Sequence, residues 1–176
     1  MKQSYLGLGV VGTGAIAIRS ALDHMLPDIA DKVRIVAVFD PMVERARAAA
    51  KKYNIPAAYG SYEELLKDPN VDAVTLCSPI GFHYGQAIAA LNAGKHIHSN
   101  KTITVTAKET DDIKKLADEK GLKVVASPGM MTMPWNQRMR RLILDGTIGE
   151  VTMAITGGGG GGTYHIIEPY RHGDDI

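Results

Sequence analysis

Apolar residues along this chain fall into short β-branched runs separated by longer stretches with helical periodicity. The first run, L-G-L-G-V-V at 6–11, reads as a buried strand and breaks at Gly12-Thr13-Gly14. The A-I-A-I that follows predicts a helix over 15–25, ending before Pro27. V-R-I-V-A-V-F at 33–39 predicts a second strand, closed by Asp40-Pro41. Alanine-rich residues 42–53 predict a helix that Asn54-Ile55-Pro56 stops, and 57–59 a short strand. Ser61 and Glu64 have capping-box spacing and open a helix through Lys67. A strand over 71–77 ends in Ser78-Pro79, and a helix over 83–93 is closed by Gly94. A strand follows at 96–99, then a second capping box, Thr106 and Glu109, opening a helix through Lys120 with Gly121 as its stop. Residues 124–127 predict a further strand, and Pro134 suits the first turn of a helix that ends near Asp145-Gly146. On that last helix Trp135, Met139, Leu142 and Ile143 share a face, expected to pack into the core.

Strands alternating with helices imply βαβ units, and right-handed crossovers make these a doubly wound parallel sheet of α/β class. In such sheets ligands bind at the carboxyl ends of the strands. Gly12, Asp40, Ser78 and Lys101 each lie just after a predicted strand.

The chemistry those positions suggest begins with G-T-G-A-I-A at 12–17. Between a strand and a helix, this G-x-G-x-x-A pattern is a dinucleotide fingerprint. Gly12 permits the tight turn, Gly14 lets the backbone approach a pyrophosphate, and Ala17 allows close packing of helix on strand. Ala15 and Ile16 open the helix, whose first N–H groups and positive dipole end suit phosphates. An acidic residue after the second strand is placed to bind a ribose hydroxyl and to repel a 2′-phosphate. Asp40 therefore favours NAD over NADP. A plain strand-end turn aspartate is the alternative for Asp40, and a plain buried strand with a glycine turn is the alternative for the loop. Lys2, the apolar run and Ala15-Ile16-Ala17 also resemble a secretory signal peptide. Removing that segment would take the first strand from the centre of the sheet, which argues against it.

Composition narrows the classes. In 176 residues, 45% are hydrophobic, 22% are charged and the net charge is +1. That fits an ordinary globular domain and supplies no broad basic field for nucleic acid. No apolar run reaches membrane-span length, so no membrane partner is expected. Cys77 is the single cysteine, which points to a reducing, cytoplasmic location. No Cys/His group has zinc spacing, so no metal is expected.

Four stretches together resemble the glucose–fructose oxidoreductase / inositol dehydrogenase (Gfo/Idh/MocA) family: G-V-V-G-T-G-A-I-A at 9–17, S-P-I-G-F-H at 78–83, A-L-N-A-G-K-H-I-H-S-N-K-T at 90–102 and L-D-G-T-I-G-E-V at 144–151. The resemblance implies NAD(P)-dependent oxidation of a secondary hydroxyl on a sugar, cyclitol or related polyol, with a homo-oligomeric full-length form. It places Lys101, which matches the lysine of the family's E-K-P motif, against the reacting oxygen. It places Ser78, Pro79 and His83 along the nicotinamide ribose; for His83 a structural hydrogen bond near a helix N-terminus is the alternative. His96 and His98 read as structural.

Two departures stand out. Asn100 and Thr102 replace the family's glutamate and proline, and without proline a cis peptide after Lys101 is not expected. The family continues into a second α/β domain that supplies most of the substrate pocket. Here residues 1–150 read as the dinucleotide-binding domain and 151–176 as a remnant of the substrate domain or a flexible tail. Strand-like 151–156 is followed by six glycines at 157–162, and His165, His172, Asp174 and Asp175 lie beyond them with no assigned role.

Overall fold

In the computed structural model, which describes residues 4–24, 29–127 and 133–155, β1 (Leu6–Val11) is buried from Gly7 onward. It pairs in parallel with β2 (Val33–Phe39) on one side and β4 (Ala73–Leu76) on the other. A strand covered on both faces has no solvent side to mark with polar residues, which is why it reads as a continuous apolar run. β3 (Ala57–Tyr59) adds beyond β2, and β5 (His96–Ser99) and β6 (Val124–Ala126) add beyond β4, all in parallel. The order is β3-β2-β1-β4-β5-β6. The winding therefore reverses between β1 and β4, and that switch point opens a crevice at the carboxyl ends.

Helices α1 (Ala15–Ser20), α2 (Val43–Tyr53), α3 (Tyr62–Lys67), α4 (Ile80–Asn92) and α5 (Ala107–Lys120) complete the crossovers. Neighbouring strand residues point to opposite faces, so the core is double. Val11, Phe39 and Leu76 pack with Leu65, Leu91 and Ile113 of α3, α4 and α5. Val10 and Val38 pack with Ala17 and Ala46 of α1 and α2. The approach of β1 to the turn before β4 is so close that a Cβ on Gly7 would lie 1.8 Å from the Asn70 carbonyl oxygen.

Several boundaries differ from expectation. α1 stops at Ser20, whose hydroxyl donates to Ile16 O at 2.6 Å, and a short 3-10 turn, Leu22–His24, replaces the predicted continuation. A serine hydroxyl on the carbonyl four residues back competes with helix propagation. α4 begins at Ile80 rather than 83, with Pro79 in the N-cap position, so His83 lies inside the helix. At α3 the Ser61 hydroxyl accepts from Glu64 N but donates to Glu63, so the box is half formed. At α5 the Thr106–Glu109 box is complete.

Residues 1–129 and 130–176 form two compact units. In the second, α6 (Pro134–Leu144) starts on its proline as expected. Its apolar face does not enter a core: Trp135 is 60% exposed, and Met139 and Ile143 are exposed too. Periodicity marks which residues share a face and does not specify what covers that face. Residues 151–155 form no strand. The glycine run and the polar residues after it lie outside the described residues. Among the described residues no helix is long and apolar enough to cross a membrane.

Candidate dinucleotide site

The carboxyl ends of the parallel strands gather the residues that the motifs single out. Gly12 leaves β1 at φ 87°, and its N–H donates to Phe39 O at 2.8 Å. A Cβ there would sit 3.2 Å from Ser78 N and 3.3 Å from the Cys77 carbonyl. Both the backbone conformation and the close passage past the end of β4 therefore require glycine. Gly14 differs. Its φ is −73°, and an added Cβ would meet nothing within 4 Å. Neither packing nor a left-handed backbone demands glycine here, and this N-cap of α1 leaves open space beside the first turn of the helix. Ala15 and Ile16 follow as the first residues of α1, with Ala17 fully buried against the sheet.

Asp40 ends β2 and is 5% exposed. Its Oδ2 accepts from Thr13 N at 3.0 Å and Thr13 Oγ1 at 2.8 Å, and its Oδ1 accepts from Met42 N at 3.0 Å. The acidic residue and the glycine turn are thus one hydrogen-bonded unit, although they are 27 residues apart.

Across the switch point, Ser78 follows β4 and its hydroxyl donates to Gln86 Oε1. Pro79 is exposed beside it. His83 is 1% exposed, and its ring is turned inward: Nε2 lies 2.8 Å from Ser78 O and Nδ1 2.8 Å from Thr102 O. The ring thus ties the loop after β4 to the loop after β5. Lys101 is exposed on that second loop, and its N–H donates to Asn100 Oδ1 at 2.7 Å. Asn100 Nδ2 reaches Ser20 Oγ on α1 at 3.3 Å.

The Lys101–Thr102 peptide is cis, contrary to the expectation drawn from the missing proline. That expectation weighed local preference only, whereas here the Thr102 carbonyl is engaged by a buried ring from α4. His98 and His96 are structural as expected. His98 Nδ1 bonds Thr75 Oγ1 at 2.8 Å, and burial pushes the ring below its ordinary pKa. His96 Nδ1 accepts from Lys123 N. Burial pushes the Cys77 thiol up.

Two contributors escaped motif reading. Thr13 occupies the variable position of the glycine pattern, and only its contact with Asp40 reveals a use. Gln86 lies two turns into α4, where sequence offers no sign that it meets Ser78.

The residues present fit a dinucleotide: an open face at Gly14 and a buried carboxylate hydrogen-bonded to the turn, both at the carboxyl ends of adjacent strands. A family model described as an oxidoreductase family with an NAD-binding Rossmann fold matches residues 6–127. The chain belongs to the Gfo/Idh/MocA family. Within reach of this family member is the trans-1,2-dihydrobenzene-1,2-diol dehydrogenase of Mus musculus, 33% identical over 147 residues, 83% of this chain and 44% of that protein. An NAD-binding oxidoreductase from Klebsiella pneumoniae is 30% identical with a TM-score of 0.73, over 83% of this chain and 40% of its own. A 3-ketoreductase from Actinomadura kijaniata, solved with NADP and TDP-benzene, is 26% identical with a TM-score of 0.72, over 82% and 44%. This Gfo/Idh/MocA chain spans less than half the length of those relatives.

Proposed function

We propose that this chain is the NAD-binding part of a dehydrogenase that oxidises a secondary hydroxyl of a sugar, cyclitol or related polyol. The observation that carries the reading is the wiring of Asp40 to the glycine turn at the switch point, with Lys101 on the same sheet edge. Gly12, Gly14, Ala15 and Ile16 would hold the pyrophosphate, Asp40 the adenosine ribose, and Ser78 and Pro79 the nicotinamide ribose. NAD supplies hydride acceptance at its nicotinamide ring. Lys101 would hydrogen-bond the substrate hydroxyl and help its proton leave.

A second reading is favoured by one observation. Lys101 is exposed on a loop, and one lysine is not a complete site. Orienting the substrate is worth up to about 7–11 kcal/mol of barrier in good cases. The 176-residue chain taken alone would then act as an NAD(H)-binding module with little turnover. Calorimetric titration with NAD tests the binding claim directly, and NADH production with a panel of polyols separates the two readings. Absence of saturable binding in the folded chain rejects both.

A further inference from the structure

Thr13 makes the most specific contact on this edge that the proposed function leaves without a part. Its amide and its hydroxyl both donate to Oδ2 of Asp40, and Met42 N donates to Oδ1. A carboxylate offers about four acceptor positions, two on each oxygen. The protein takes both on Oδ2 and one on Oδ1, so the acceptor capacity left for a ligand is on Oδ1. Thr13 is 7% exposed and Asp40 5%, so water competes little for these bonds.

A carboxylate rejects a 2′-phosphate only while it cannot turn away. An aspartate anchored at one point relieves the repulsion by rotating its carboxyl group. Three donors on its two oxygens oppose that rotation. Any residue at position 13 other than proline supplies the amide, but only threonine or serine supplies a hydroxyl in this place.

We propose that Thr13 is a specificity-determining positioning residue: its hydroxyl locks the Asp40 carboxylate, and the preference for NAD over NADP depends on that lock as well as on Asp40. The inference rests on the cofactor reading above and names the residue that makes it selective. The relevant substitution is Thr13→Val, which keeps volume, β-branching and the amide and removes only the hydroxyl.

The test is calorimetric titration of NAD and of NADP into the wild-type chain and into Thr13→Val, Thr13→Ala, Thr13→Ser and Asp40→Ala, with circular dichroism to establish folding. Two variants lacking the hydroxyl guard against a packing effect peculiar to either. The NAD:NADP affinity ratio should fall roughly tenfold in Thr13→Val and Thr13→Ala, the size expected when one hydrogen bond to a charged acceptor is lost. Thr13→Ser keeps the donor and should stay within about twofold of wild type. A merely structural Thr13 would weaken both cofactors equally. If the ratio stays unchanged in both variants while Asp40→Ala shifts it, the inference is wrong and the cofactor reading stands. If the wild-type chain binds neither dinucleotide, or binds NADP more tightly, the cofactor reading fails and the inference fails with it.

Discussion

The His83 ring lies 2.8 Å from the carbonyl oxygen of Thr102, and its other nitrogen is equally close to Ser78 O. One buried side chain of α4 thereby fixes two loops on the edge where the cofactor is proposed to bind. His83→Ala should cost about 2–4 kcal/mol, because it opens a cavity and takes the ring's N–H donor away from the carbonyl it serves. Urea denaturation measures the loss. Amide exchange at 101–103 should accelerate more than in the distant α2. A gain of stability, or uniform exchange, contradicts the clasp.

The two glycines of the turn should separate cleanly on substitution. Gly12→Ala places a side chain at φ 87° and against the backbone of Cys77 and Ser78, so it should destabilise the fold by roughly 1–3 kcal/mol. Gly14→Val meets no protein atom near its Cβ, so its melting temperature should stay near wild type while NAD binding is abolished. Unchanged NAD affinity in folded Gly14→Val removes the phosphate-cradle assignment.

Asp40→Ala carries two costs at once. It deprives the Thr13 and Met42 donors of their acceptor, and it removes the group proposed to meet the ribose. Stability should drop by about 1–3 kcal/mol. NAD should bind more weakly, and its advantage over NADP should narrow. Calorimetry in parallel with denaturation resolves the two effects.

Lys101 is predicted to matter for turnover and not for cofactor affinity. In a longer form of the protein carrying the family's second domain, Lys101→Ala should lower turnover by a factor on the order of 100 or more. NAD affinity should change little. The 176-residue chain alone should give little NADH from any polyol. Wild-type turnover by the variant takes Lys101 out of the mechanism.

His98 makes stability pH-dependent. Burial holds its folded-state pKa below the ordinary 6.5, so the unfolded chain binds the proton more readily. The contribution of the neutral ring is present above 6.5 and is lost as the pH falls from there toward the depressed folded value. Denaturation midpoints should therefore decline through this window, and His98→Gln should flatten the decline. An unaltered pH profile in the variant assigns the effect to other groups.

The order of strands and helices, the glycine turn and the acidic end of β2 were legible in the sequence alone. Each is a local matter: β-branched runs, a glycine pair at a strand end and a Thr106–Glu109 box report on the few residues around them. Periodicity also located the last helix but not its surroundings. Trp135 and Met139 have the spacing of a core face and are exposed, because spacing specifies a face and not what covers it. What only tertiary structure decided is how residues distant in sequence meet. Asp40 is anchored by Thr13, His83 points inward to the backbone at 78 and 102, and Lys101 enters a cis peptide without a proline. Those contacts come from the parallel sheet, which brings the ends of β1, β2, β4 and β5 to one edge. No short-range rule carries that information, because each contact depends on the order of strands across the sheet rather than along the chain.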